Sequence, residues 1–216
     1  MTPTLRDATR GFHPRSGIWE VIHVGYARCA TMGAMPAQRS SPPRPAPLHL
    51  VLGDEELLVE RAVQAVVAAA RATDPGVEVR RLRAAEATTA DLAAALGPSL
   101  FGEPRVAVLE AAHEAGKDAS AAVLAHAVEP GDGIVVVVQH AGGARNKALA
   151  DALRKAGAEV VRCDKLRADE RADFVRGEAR RAGGTIVADA VGVLIDAVGT
   201  DLRELAAAVA QLVADA

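Results

Sequence analysis

Leu48-His49-Leu50-Val51-Leu52-Gly53-Asp54-Glu55-Glu56 is the stretch whose reading decides the fold. Four large apolar residues and one histidine stop at a glycine, as a buried strand does, and helical spacing follows at once through Val59, Val63, Val66, Val67 and Ala70. A strand that turns directly into a helix opens an α/β layer. In a nucleotide-binding sheet this turn carries a Gly-rich loop and Lys-Ser or Lys-Thr, whose amides and helix dipole hold phosphate. Here Asp54, Glu55 and Glu56 stand in a row, satisfy the dipole internally and repel a triphosphate. Asp54 is the expected N-cap, and ATP binding at this turn is not expected.

Downstream the same unit repeats. Asp74-Pro75-Gly76 ends the first helix, and Val77-Glu78-Val79-Arg80-Arg81-Leu82 alternates in part, as a strand does. Thr88 and Asp91 have the spacing of a capping box for a helix presenting Leu92, Ala95 and Leu96. Strand Val106-Ala107-Val108-Leu109 comes next, then a helix carrying Val123, Leu124, Ala127 and Val128. Ile134-Val135-Val136-Val137-Val138, a helix through Ala148, Leu149 and Leu153 capped by Gly157, and Ala158-Glu159-Val160-Val161 complete the series. Strand and helix alternate five times with apolar strands, which predicts a mostly parallel sheet covered on both faces over residues 48–164.

From Lys165 the strands cease. Three helical patterns follow: Ala172, Val175 and Ala179; Ala190, Val193, Leu194 and Ala197; and Leu202, Leu205, Val209, Leu212 and Val213. They predict a small helical domain over residues 165–216, punctuated by Gly183-Gly184 and Gly199-Thr200, with Asp201 and Glu204 opening the last helix. No Gly or Pro follows the final apolar stripe, so the chain reads as cut short at Ala216. Residues 1–47 lack periodicity, end in Ser40-Ser41-Pro42-Pro43-Arg44-Pro45-Ala46-Pro47, and read as a disordered Pro-rich extension. They hold no apolar segment with a cleavage site, and Met32 or Met35 could be the true start.

At 216 residues and 50% hydrophobic composition the chain can bury a core. No apolar run nears the roughly 18 residues of a membrane span, so no membrane association is expected. Two cysteines, Cys29 and Cys163, lack metal-ligand spacing and fit a reducing cytoplasm. The net charge of −3 hides an asymmetry, since residues 1–47 hold six arginines against Asp7 and Glu20. Of the 25 basic and 28 acidic residues, 19 and 26 remain for the rest of the chain. That acidic balance argues against autonomous DNA binding.

Enzyme signatures are missing. Glu110 at a strand end, with His113 and Glu114 nearby, reads as a solvated carboxylate; His49, His113, His126 and His140 have no metal spacing. Gly142-Gly143 with Arg145 and Lys147 reads as a tight strand-to-helix turn whose basic residues face solvent. Arg80, Arg81, Arg83, Arg176, Arg180 and Arg181 read as solvated basic faces. No catalytic residue, cofactor or metal is expected.

Gly97-Pro98-Ser99-Leu100-Phe101-Gly102-Glu103-Pro104 is the exception to this plain pattern. From Leu48 onward only Phe101 and Phe174 are aromatic, and Phe101 lies beside Leu100 in a loop of helix and strand breakers. Loops run over the surface, so a scarce core-former sits where it can meet a partner or fold back under its own sheet.

The order of these features resembles the delta subunit of the bacterial DNA polymerase III clamp loader over residues 48–216. The resemblance rests on the Gly53-Asp54-Glu55 turn, the Leu100-Phe101 loop before a strand, Arg145-Asn146-Lys147, and Gly199-Thr200-Asp201-Leu202-Arg203-Glu204-Leu205. It implies an AAA+-like, P-loop-NTPase-type parallel sheet of about five strands without a working P-loop, followed by a three-helix lid. It also implies a clamp-binding site of Leu100 and Phe101, flanked by Ser99 and Gly102, that enters a pocket on the sliding clamp. Burial of that pair supplies on the order of 3–6 kcal/mol before ordering costs.

The implied role is non-catalytic: helping to open the clamp for loading on primed DNA, within a DNA-directed DNA polymerase (nucleotidyltransferase) holoenzyme in the cytoplasm. Implied partners are the beta clamp, the gamma/tau and delta prime subunits, and primed DNA. The family's C-terminal collar domain has no counterpart here. A nucleotide-dependent ATPase or transferase, and an adaptor using the same loop for another protein, are the competing readings.

Overall fold

The computed structural model describes residues 45–97 and 102–216. Their elements run β1 (Leu48–Leu52), α1 (Glu56–Thr73), β2 (Glu78–Arg83), α2 (Thr89–Leu96), β3 (Arg105–Glu110), α3 (Lys117–Val128), β4 (Ile134–His140), α4 (Lys147–Lys155) and β5 (Glu159–Arg162). Three helices follow: α5 (Ala168–Arg181), α6 (Ala188–Val198) and α7 (Leu202–Ala214). The strands form one sheet in the order β2-β3-β4-β1-β5, and every pairing is parallel.

Strand periodicity divides the core into two layers. Leu48, Leu50, Leu52, Ala107, Leu109, Ile134, Val136 and Val138 point to one face, where α2, α3 and α4 cover them through Leu92, Ala95, Val123, Leu149 and Leu153. Val51, Val106, Val108, Val135 and Val137 point to the other, against Val63, Val66, Val67 and Ala70 of α1. Burial of each Val or Leu contributes about 1.5–3 kcal/mol, so the three inner strands carry most of the sheet's stability.

The edges are less apolar than expected. β2 and β5 are largely exposed, because Glu78, Arg80, Arg81 and Arg83, and Glu159 and Arg162, face solvent. Charged residues on an exposed edge discourage pairing with another chain, which accounts for the departure from all-apolar strands. On the helices, Val128 is 84% exposed, Val193 68% and Leu212 51%, and Ala148 faces solvent while Ala150 takes the buried position. Thr88 and Asp91 do form the reciprocal capping box of α2.

The expected N-cap of α1 is displaced by one residue. Glu55 holds that position, no side chain caps the helix, and the Asp54 carboxylate instead lies 3.6 Å from Lys165 Nζ. The cause is in the backbone, since the Glu55 N–H donates to the Cys163 carbonyl at 2.9 Å and fixes where the helix begins.

The last three helices build their own core of Phe174, Val175, Ala179, Val191, Leu202, Leu205 and Val209, joined by Leu57 of α1. Glu178 is buried there and receives both guanidinium nitrogens of Arg61 at 2.8 Å. Arg61 also stands over the Phe174 ring, 5.6 Å from its centre. The Asp201 carboxylate accepts from the Arg203 and Glu204 amides, at 2.8 and 2.9 Å, and caps α7 as its position predicts.

Candidate functional site

An open parallel sheet binds ligands in the crevice beyond the C-terminal ends of its strands, where strand order reverses. In this sheet the crevice lies at the ends of β1 and β4. The turn from β1 to α1 has only Gly53, Asp54 and Glu55. Two of its amides are already committed: Gly53 N–H donates to the His140 carbonyl at 2.9 Å, and Glu55 N–H to Cys163. Gly53 has φ of +144°, and a Cβ there would meet the Cys163 carbonyl carbon and oxygen at 2.1 Å. The turn is therefore pressed against the chain leaving β5.

The electrostatics of the turn are acidic. Burial raises the Glu55 pKa, and the Asp201 carboxylate raises it further. The neighbouring Cys163 thiol is buried and pushed up to about 12, chiefly by desolvation, so it stays protonated and is no nucleophile. Among the described residues no group of three or more His, Cys, Asp or Glu side chains is arranged to hold a metal.

At the end of β4, His140 is a structural residue. Its Nδ1 accepts the Gly142 N–H at 2.9 Å, so Nε2 carries the proton and faces the Asn146 carbonyl at 3.3 Å. Burial holds its pKa below the usual value. Asn146, at φ of +50°, donates its side-chain amide to the Ala112 carbonyl at 3.0 Å. Gly142 and Gly143 turn with positive φ, and Arg145 reaches Glu114 while Lys147 pairs with Asp151. Glu110 accepts from Arg81 at 3.0 Å. Arg83 lies near Glu86 and Glu114, Arg80 pairs with Glu78, and Arg176 and Arg181 pair with Asp173 and Glu178.

The other candidate region is at the opposite end. Parallel pairing makes α2 return to the N-terminal edge of the sheet before β3 starts. The base of the 97–104 loop is thus about 20 Å from the crevice, the length of a six-residue strand. Ser99, Leu100 and Phe101 lie outside the described residues, whereas Gly102 is exposed with φ of +68°. Gly97 N–H closes α2 onto the Ala93 carbonyl at 2.9 Å, the Pro104 carbonyl accepts from Glu78, and the Arg105 amide donates to Gly133 at 2.9 Å. A cleft of about 390 Å³ opens beside Gly102, lined by Ala70, Val77, Pro104, Arg105 and Asp132 among others.

Sequence reasoning missed Arg105, whose Nη1 donates to the Ala94 carbonyl and ties the loop's two ends together. The available signal was Pro98, four residues after Ala94, which has no N–H to offer that carbonyl. It also missed the Arg61–Glu178 pair, because nothing local links residues 117 apart.

Sheet order, parallel pairing and the helices on both faces define an AAA+-like, P-loop-NTPase-type fold. Among solved structures, the chain is similar to the Bacillus subtilis DNA clamp loader delta protein (YqeN), with a TM-score of 0.59 and 21% identity. That match covers 79% of this chain and 53% of the other, so this chain spans about half the length of its neighbour. The Thermotoga maritima RuvB Holliday junction branch migration motor matches with a TM-score of 0.50 and 14% identity, over 75% of this chain and 53% of that one. At these identities the likeness is one of fold. No family model matches the sequence, and no curated protein matches it. Among the described residues no helix is long and apolar enough to cross a membrane.

Proposed function

We propose that the chain is a non-catalytic clamp-loader subunit that binds a sliding clamp through Leu100 and Phe101, with Ser99 and Gly102 as flanking residues, and helps to open it. The observation that carries the reading is the fold shared with the clamp loader delta protein, combined with a β1–α1 turn whose Gly53 and Glu55 amides are bonded to backbone carbonyls. A turn stitched in this way offers few donors to phosphate, and its carboxylates oppose an anion. Residues 48–164 form the α/β domain of this reading and residues 165–216 its helical lid.

The mechanism is differential binding. A loop that binds the open or strained ring more tightly than the closed one shifts the ring toward opening by that difference. Leu100 and Phe101 supply apolar area, while nucleotide would act through the motor subunits, gamma/tau, assembled with delta prime around primed DNA. In this reading the chain acts in the cytoplasm, as part of the DNA polymerase III holoenzyme.

The test is surface plasmon resonance of this chain over immobilised sliding clamp from the same genome. Saturable binding at micromolar or lower concentration is expected. No binding up to about 100 μM, where ΔG falls below about 5.5 kcal/mol, contradicts the reading.

A further inference from the structure

We infer that Arg61 is a positioning residue that locks the angle between α5–α7 and the sheet, so that the two move as one body rather than hinging between β5 and α5. The joint has two pins. At the first, the chain that leaves β5 is stitched to the β1–α1 turn: the Cys163 carbonyl accepts the Glu55 N–H at 2.9 Å, and the Cys163 N–H donates to the Leu52 carbonyl at 2.7 Å. Alone, this pin sets where the helical trio begins and leaves it free to swing.

The second pin lies on α1. Leu57 and Arg61 are one turn apart and share a face of that helix, as Phe174 and Glu178 do on α5. Leu57 is buried in the core of the trio, while Arg61 sets two nitrogens on the Glu178 carboxylate at 2.8 Å each and stands over the Phe174 ring. Positions 55 and 61 are about 9 Å apart along the helix axis. Two attachments at that separation stop the swing. Helices α5, α6 and α7 pack mainly against one another, so few other groups decide their angle to the sheet. The Glu60–Arg203 pair at 2.9 Å is exposed on both sides and adds little.

Arg181 separates charge from position. It lies 3.3 Å from Glu178 on the same helix, so it partly compensates the buried carboxylate without reaching α1. What Arg61 adds is a bidentate bond across the joint, which fixes direction as well as charge. A partner that pushes on the trio therefore moves the sheet with it. None of these residues belongs to the 97–104 loop, so the joint is independent of what that loop binds.

The test is double electron–electron resonance on the full chain. One spin label is placed at Lys155→Cys in α4 and the other at Ala197→Cys or Ala210→Cys in the trio, all exposed positions, in a Cys29→Ser background that keeps the buried Cys163. Wild type is expected to give one narrow distance for each label pair. Arg61→Ala should broaden or split both distributions while the circular dichroism spectrum is retained. Arg61→Met combined with Glu178→Leu removes both buried charges and recovers part of the stability, yet should still give the broad distances, since apolar contact sets no direction.

Broad or two-peaked distances in wild type overturn the lock, because the hinge is then open. Wild-type widths in Arg61→Ala overturn it as well. So do wild-type widths in the double variant, where packing alone would orient the trio. If Arg61→Ala fails to fold, the double variant decides.

Discussion

Gly53 and Cys163 meet backbone to backbone: a Cβ on Gly53 would lie 2.1 Å from the Cys163 carbonyl carbon and oxygen. The Glu55 amide donates to that same carbonyl at 2.9 Å. The β1–α1 turn is thus held directly against the chain that leaves β5.

Gly53→Ala therefore confronts both a backbone collision and a positive φ of +144°. A loss of about 3 kcal/mol or more in stability is expected, read as a lower urea midpoint. Full stability in this variant would mean that the turn is not held against Cys163.

Mg-ATP should give no saturable heat on titration into the chain by calorimetry. The Gly53 and Glu55 amides are committed, and Asp54, Glu55 and Glu56 repel phosphate. Saturable, stoichiometric binding to the wild-type chain would contradict this and favour the nucleotide-dependent reading.

Breaking the Arg61–Glu178 contact tests how the helical trio is joined to α1. Glu178's side chain is 8% exposed and Arg61's 26%, so Arg61→Ala leaves a buried carboxylate with Arg181 at 3.3 Å. A cost of about 3 kcal/mol is expected, partly recovered by Arg61→Met combined with Glu178→Leu. Denaturation of wild type, Arg61→Met, Glu178→Leu and the double variant makes the double-mutant cycle, and additive losses would contradict the coupling.

Acid should destabilise the fold through its buried histidines. Desolvation lowers the pKa of His49, His126 and His140 from the ordinary 6.5, against the raising effects of Glu159 on His49 and of carbonyls at Ala46, Leu96 and Asn146. A base with a depressed folded pKa binds fewer protons folded than unfolded, so stability rises with pH across that window. The contribution is complete above pH 6.5 and is lost as pH falls through the folded values. The urea midpoint should be flat from pH 7 to 8 and decline from 6.5 toward 5, less steeply in His126→Gln. A midpoint that rises on acidification over that range would contradict this.

The inner sheet was legible because β1, β3 and β4 are short runs rich in Val and Leu with Gly, Pro or charged residues beside them. Capping at Thr88 and Asp201 was legible for a local reason, since donor and acceptor lie within three residues of each other. What escaped depended on distance in sequence. Asp54 is the better N-cap by residue type, and the helix start moves to Glu55 only because Cys163, more than a hundred residues on, takes the Glu55 amide. Val193 fits the helical stripe of α6, yet only Val191 of that helix is buried, because α6 meets its neighbours along a narrower line than the stripe suggests. The Leu100-Phe101 pair was conspicuous by composition, whereas Arg105 became visible only when the Ala94 carbonyl acquired its donor.

The most direct measurement is clamp affinity of Leu100→Ala/Phe101→Ala against wild type, with circular dichroism recorded on both. Losing the 3–6 kcal/mol of apolar burial predicts at least about a hundredfold weaker binding with an unchanged spectrum. Equal affinity of the two chains for the clamp would contradict the account.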